Sequence, residues 1–414
     1  MKKVIVTLMA VLLCASLIGC GDPTPPTPEK VNVAVAEKEL REYTEYNRET
    51  YLKPLWHTRE IYNETVLFVG ENDKAPLLYT PSEVISVRNY KLDVEYVQGV
   101  DYVIEDGKIS RTPNSSIPYM KINDYYLKAQ PSGAVLEVDK SAVSEDMLPL
   151  INGPRWLKYG ETTTFTQYQI AVTYRHNQPW TGSTVIGHPE KFQSFINKLQ
   201  SGENAKILFF GDSITVGCNA SGTPQGGNIS PYCESWTNMV TSYLNDKYDV
   251  TLEYVNTAIG GTATKSGRDR FQTDVLDHEP DLLVIAYGMN DRETSPQNYK
   301  SYIEQMVSSY HMAIPDGNIL LVSTQLPNPE CLNWNKNQKL WEPILQEVAS
   351  NNDFCAVAPV TSMHASMQNA GKRYRDYTAN NVNHPNDFIV RLYAQVCLKT
   401  MLGNSFFTET FEQI

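Results

Sequence analysis

Residues 206–215 read Lys-Ile-Leu-Phe-Phe-Gly-Asp-Ser-Ile-Thr, an apolar run that passes without a spacer into Gly211-Asp212-Ser213. A short apolar stretch closed by glycine fits a strand buried on both faces. Gly211 lets the chain turn tightly at its end, which leaves Ser213 just beyond the strand. Downstream the periodicity alternates. Strands are expected over 252–256, 281–287, 318–323 and 354–358, and helices over 235–248, 297–313, 335–350 and 387–402. Strands alternating with helices imply a parallel sheet covered on both faces, in which ligands lie beyond the carboxyl ends of the strands.

Upstream the pattern is different. From Val31 to about Val185, short and often alternating runs at 66–70, 84–87, 92–97, 102–104, 135–138 and 168–174 are separated by Gly, Pro, Asn and Asp. Only 37–46 reads as a helix. Short strands at such spacing predict an all-β sandwich. The expected organisation is therefore a β-sandwich domain over 31–185 and an α/β domain over 186–414. A chain of 414 residues is long enough for two domains.

The N-terminus reads as an address. Lys2-Lys3 precede an apolar run from Val4 to Ile18, too short for a comfortable membrane span, so 1–19 is expected to be a signal peptide. Its end, Leu17-Ile18-Gly19-Cys20, resembles a bacterial lipobox, with Cys20 as the lipidated residue. Residues 20–30 are Pro-rich and form a tether. The expected location is extracytoplasmic, with the membrane touched only through the lipid. Lys2 and Lys3 are the only charged residues before Cys20, which leaves 33 basic and 47 acidic residues after it. So acidic a chain argues against nucleic acid or anionic lipid as the main partner. Of the remaining cysteines, Cys218 and Cys233 bracket a Gly/Ser/Pro-rich loop and either pair or stay free. No metal-ligand spacing is present and no cofactor is expected.

Three further polar segments fall on the same sheet edge as Ser213. Asn256-Thr-Ala-Ile-Gly-Gly261-Thr262 ends the second strand, Gly288-Met-Asn290-Asp291 ends the third, and Asn381-Val-Asn-His384-Pro-Asn-Asp387 precedes the last helix. A serine hydroxyl becomes a nucleophile when a neighbouring base takes its proton, and histidine titrates in the right range. The oxyanion formed at an attacked carbonyl needs donors already aimed at it. The Ser213 N–H, the Gly261 N–H and the Asn290 amide are the candidates.

These segments resemble the four blocks of the SGNH (GDSL-like) hydrolase family over roughly 206–402. The resemblance implies a three-layer, flavodoxin-like α/β domain and an esterase, lipase or thioesterase activity. It makes Ser213 the nucleophile and His384 the base, with Gly261 and Asn290 completing the oxyanion hole. Family members often act on O-acetylated carbohydrate, so an acylated carbohydrate or other small ester is the expected substrate. One position departs from the family. Its last block usually reads Asp-x-x-His, and here the Asp position is Asn381. Asn381 can orient His384 through its carbonyl oxygen, a backbone carbonyl can do so, or Asp376 can reach in from the preceding loop. The expectation adopted is a working Ser-His dyad with a neutral orienter. A lipase or thioesterase of the same fold, and a glycan-binding lipoprotein that lost catalysis, are the alternatives. His364 is a rival base, and Asp212 and Asp291 are read as bracing their turns. Trp334 is read as a sugar-stacking residue on a loop over the site, and Trp341 as helix packing.

Overall fold

The computed structural model describes residues 44–127, 147–149 and 156–406. The signal segment, Cys20, the tether, most of the 37–46 helix and the strand expected at 135–138 lie outside them. The first region is antiparallel, as expected of a β domain: β1 (Glu60–Leu67), β2 (Lys74–Pro76), β3 (Glu83–Asn89), β4 (Tyr102–Glu105), β5 (Lys108–Arg111), β6 (Tyr126–Leu127), β7 (Met147–Pro149), β8 (Trp156–Lys158) and β9 (Gln169–Arg175). They form three small sheets, ordered β1-β9-β3, β2-β5-β4 and β6-β8-β7. The stretch 92–97, expected as a strand, is instead a turn that returns to β3. Leu92 has φ 65°, and the Asn89 side chain accepts the Asp93 and Val94 N–H groups, both at 3.1 Å. A local side-chain acceptor of this kind competes directly with ladder pairing.

The second region runs α1 (Gln193–Ser201), β10 (Lys206–Gly211), α2 (Ser213–Val216), α3 (Trp236–Tyr248), β11 (Glu253–Asn256), α4 (Thr264–Asp269), β12 (Leu282–Ala286), α5 (Pro296–Ala313), β13 (Asn318–Val322), α6 (Trp341–Ser350), β14 (Cys355–Ala358), α7 (Val360–Asn369) and α8 (Asp387–Leu402). Its five strands pair in parallel in the order β11-β10-β12-β13-β14. Each central strand feeds two cores, because successive side chains point to opposite faces. Ile207 and Phe209 of β10, with Leu282 and Val284 of β12, join one apolar cluster. Leu208 and Phe210, with Leu283 and Ile285, join the other, under α5 and α6. The expected helix over 335–350 begins only at Trp341. Gln338 instead donates its amide to the Met289 and Trp334 carbonyls, at 3.1 and 2.8 Å, and holds the preceding residues as a loop.

The two regions meet over α8, every residue of which is buried. Ile170, Val172 and Tyr174 of β9 share the cluster that contains Phe388, Leu392 and Val396 of α8. Polar ties reinforce the junction. Asn386 donates its amide to Thr65 and to Gln169, both at 2.9 Å. Lys372 forms a wholly buried ion pair with Glu64 at 2.5 Å. The change from antiparallel to parallel pairing between β9 and β10 is therefore not a break in packing, and the described residues form one compact unit. Among them, no helix is long and apolar enough to cross a membrane, and Cys218 and Cys233 are unpaired.

Candidate active site

The strand order reverses direction at β10 and β12, so their carboxyl ends flank a switch point of the kind where α/β sheets bind ligands. Ser213 follows β10 as the first residue of α2. Asp212 caps that helix, its side chain accepting the Ile214 N–H at 3.0 Å. Glycine at 211 is a packing requirement, since a Cβ there would lie 2.3 Å from Thr215 Oγ1 and 2.5 Å from the Ala286 carbonyl. The Ser213 N–H, at the first helical position, has no partner inside the helix.

The second segment is tied to the first. Asn256 donates its amide to the Thr215 carbonyl at 2.8 Å. Gly261 has φ 74°, a conformation side chains rarely adopt. Among the described residues neither the Ser213 nor the Gly261 N–H meets an acceptor. Asn290 donates one amide hydrogen to the Thr262 carbonyl at 3.1 Å, which holds it beside the Gly261 turn. Asp291, wholly buried, accepts the Thr264 N–H at 3.0 Å and the Thr264 and Thr294 hydroxyls at 2.7 and 3.0 Å. It clamps the third segment to α4.

His384 sits on a loop closed at its base, where Ala379 N–H donates to the His384 carbonyl at 3.1 Å and Asn386 N–H to the Tyr377 carbonyl at 3.2 Å. Asn380 fills the loop. Its side-chain oxygen accepts the N–H groups of Val382, Asn383 and His384 at 3.0, 3.0 and 2.9 Å. This brings His384 Nε2 to 2.9 Å from Ser213 Oγ.

On its other side the imidazole meets two groups that sequence reading did not single out. Nδ1 lies 2.8 Å from Asn219 Oδ1 and 3.1 Å from Glu161 Oε2. Asn219 belongs to the loop after α2, and Glu161 to the loop after β8 in the β region. Burial works against ionisation of Glu161. The bond to and charge of His384 outweigh it, and bonds from Tyr159 and Asn380 add to this, so the carboxyl is held down at about 2.

Neither expected orienter reaches the ring. The Asn381 carbonyl oxygen accepts Tyr125 OH at 2.9 Å and the Asn328 amide at 3.2 Å, while its own amide donates to the Lys158 carbonyl at 3.0 Å. Its left-handed backbone, φ 69°, turns the side chain toward the β region. Asp376 accepts the Leu67 N–H at 3.0 Å and two bonds from Arg373 at 2.7 and 2.9 Å. The expectation of a purely neutral orienter is corrected, because a carboxylate from outside the family's blocks faces Nδ1. No local motif marks Glu161, which lies 223 residues before His384. The one available signal was the missing Asp of the last block.

The rival groups are placed elsewhere. His364 is buried within α7 and accepts the Leu326 N–H at 3.3 Å, and burial pushes its imidazole down to about 3. Cys218 lies near the site, but burial, with Glu161 and Asp212 nearby, pushes its thiol up to about 12, so it stays protonated. Burial likewise raises the Asp212 carboxyl to about 7, against the bonds from the Ile214 and Met289 N–H groups and the charge of His384. Trp334 is half-buried against the core, with the Arg292 guanidinium 5.0 Å from its ring. Trp341 is buried, donates to the Gly288 carbonyl at 3.0 Å and stacks on Tyr299.

Comparison with known proteins follows the same segments. The GDSL-like Lipase/Acylhydrolase family profile matches residues 209–390. An uncharacterized lipoprotein of Bacillus subtilis, YqeF, is 36% identical over 85 residues, covering 20% of this chain and 31% of that protein. An acetylxylan esterase of Geobacillus stearothermophilus is 32% identical over 95 residues, covering 23% of this chain and 42% of that one. The chain thus spans less than half the length of either curated relative. Among solved structures, Axe2, an acetylxylan esterase from Geobacillus stearothermophilus, has a TM-score of 0.41 at 18% identity, covering 51% of this chain and 99% of that one. A two-domain esterase active on acetylated mannans (CEX) has a TM-score of 0.42 at 22% identity, covering 52% and 53%. Residues 209–390, rather less than half of the chain, are thus similar to the GDSL-like lipase/acylhydrolase family.

Proposed function

We propose that the chain is a serine esterase that removes O-acetyl groups from carbohydrate through an acyl-Ser213 intermediate. The observation that carries this reading is the 2.9 Å contact between His384 Nε2 and Ser213 Oγ, a base within reach of the proton it must take. Ser213 Oγ attacks the acyl carbonyl as its proton passes to His384 Nε2. The oxyanion is received by the N–H groups of Ser213 and Gly261 and the free amide hydrogen of Asn290. Collapse returns the proton from Nε2 to the departing sugar oxygen. Water then attacks the acyl-Ser213 carbonyl as its proton passes to His384 Nε2, and collapse returns that proton to Ser213 Oγ and releases acetate. The acetylxylan esterase relative supports carbohydrate as the substrate class. Trp334, on the loop that follows β13, is assigned to the sugar.

The proposed organisation retains a signal segment over 1–19, a tether over 20–30 anchored through Cys20, a β domain over 31–185 and the hydrolase domain over 186–414. The lipobox-like Leu17–Cys20 supports an extracytoplasmic, lipid-anchored enzyme, as does the relative named a lipoprotein. Acetate release from acetylated xylan and acetylated mannan tests the activity. Wild type should release acetate, and Ser213→Ala should fall by on the order of 10⁴–10⁶-fold. A Ser213→Ala protein as active as wild type would remove the serine from the reaction. Acetylated glycans that fail while acyl-thioesters or lysophospholipids react would move the activity to the lipase or thioesterase reading.

A further inference from the structure

His384 has an acid partner, but it does not come from the loop that carries the histidine. We propose that Glu161, supplied by the β region, is the charged positioning residue for His384 and takes over the place that Asn381 vacates. The inference rests on the esterase reading.

Three observations carry it. First, Glu161 Oε2 is 3.1 Å from Nδ1, the ring nitrogen opposite the one that faces Ser213. Second, the carboxylate is held independently of the imidazole, because its other oxygen accepts Tyr159 OH and the Asn380 amide. Asn380 also fixes the backbone of the His384 loop through three N–H bonds, so one side chain sets both partners. Third, Asn219 Oδ1 shares the same Nδ1–H at 2.8 Å. Two acceptors on one N–H fix the tautomer that leaves Nε2 free to take the serine proton. Only one of them is charged. The neutral amide can hold the ring, while stabilising an imidazolium takes an anion beside it. The proton taken from Ser213 stays on Nε2, and Glu161 itself is not protonated in the cycle.

The division of roles sets the size of the effect. In a serine protease, neutralising the acid costs about 10⁴ in kcat, largely through the wrong tautomer. Here Asn219 preserves the tautomer, so the loss should be smaller. The side chain of Glu161 is also 38% exposed, and solvent weakens its field.

The test compares kcat/KM against pH on 4-nitrophenyl acetate for wild type, Glu161→Gln, Glu161→Asp, Asn219→Ala and Ser213→Ala, with the His384 imidazole titrated in parallel by NMR. Glu161→Gln should lower kcat by on the order of 10²-fold with KM little changed. It should also move the acidic limb of the profile, and the NMR midpoint, to lower pH. Glu161→Asp should keep the limb near its wild-type position, as the charge remains. Asn219→Ala should lower kcat without moving the limb as far. A folded Glu161→Gln protein with unchanged kcat, limb and NMR midpoint would overturn the inference. If Glu161→Gln does not fold, a folded Glu161→Ala protein with unchanged kcat, limb and NMR midpoint would overturn it instead. Ser213-dependent activity indifferent to Glu161 sinks only this inference. Wild type without Ser213-dependent activity sinks the esterase reading beneath it.

Discussion

The rim of the parallel sheet and the loop after β8 contribute to one site by opposite means. The rim places Ser213, Gly261, Asn290 and His384 at strand ends or helix entries, each within a short segment whose turn and cap chemistry fixes it locally. Glu161 reaches His384 only because the β region packs against α8 and its preceding loop through Asn386, Lys372 and the shared apolar cluster. In the proposed mechanism, local chemistry builds the nucleophile and the oxyanion donors, and tertiary packing delivers the charge. Substitutions on the two sides should therefore fail differently.

The largest contrast is on the rim. Asn290→Ala removes a donor without touching the imidazole's partners. It should lower kcat by about 10²–10³-fold and leave the acidic limb of the pH profile in place. A moved limb would mean that the rim and the imidazole's environment are not separable.

Asn381→Asp restores the family's usual residue and sharpens the comparison from the loop side. The new carboxylate would face the Lys158 carbonyl, which now receives the Asn381 amide, so a part-buried acceptor loses its donor and meets a negative charge. The variant should lose about 1–3 kcal/mol in urea unfolding and gain no activity. A rise in kcat would return the acid's role to the His384 loop.

The smallest effect is in the pH dependence of stability, where the two regions should carry opposite signs. Burial raises the Asp212 carboxyl to about 7 and the Asp387 carboxyl to about 6. Between their unfolded value of about 3.9 and those figures, the native state keeps protons that the unfolded state releases, so their contribution falls as pH rises. Glu161, held at about 2, contributes stability that is present above its unfolded value and is lost as pH falls through the folded one. Thermal unfolding followed from pH 3 to pH 8 (roughly the span of these groups) should show Asp387→Asn flattening the decline below neutrality. Glu161→Gln should instead remove stability that wild type shows at neutral pH. The same slope in both variants would contradict the assignment.

The difference between the regions also explains what could be read from the chain. The α/β order, the switch-point site and the four rim residues were legible because each depends on a short pattern: a doubly buried strand, a glycine turn, a helix cap. The antiparallel character upstream was legible in the same way. The stretch 92–97 was not, since its alternation fits a strand and only the Asn89 side chain diverts it. The helix start near 335 was misplaced because Gln338 spends its amide on two loop carbonyls. The partners of His384 were misassigned for a third reason. Sequence proximity favoured Asn381 and Asp376, yet both side chains are committed to the β region, and Glu161 approaches from a loop that no motif links to the histidine.

The most direct measurement is mass spectrometry of wild-type protein quenched during turnover of 4-nitrophenyl acetate. Acetyl should be found on the peptide containing Ser213, and it should be absent from Ser213→Ala. Steady ester hydrolysis with no acetyl on Ser213, or with acetyl carried by another residue in its place, would contradict the account.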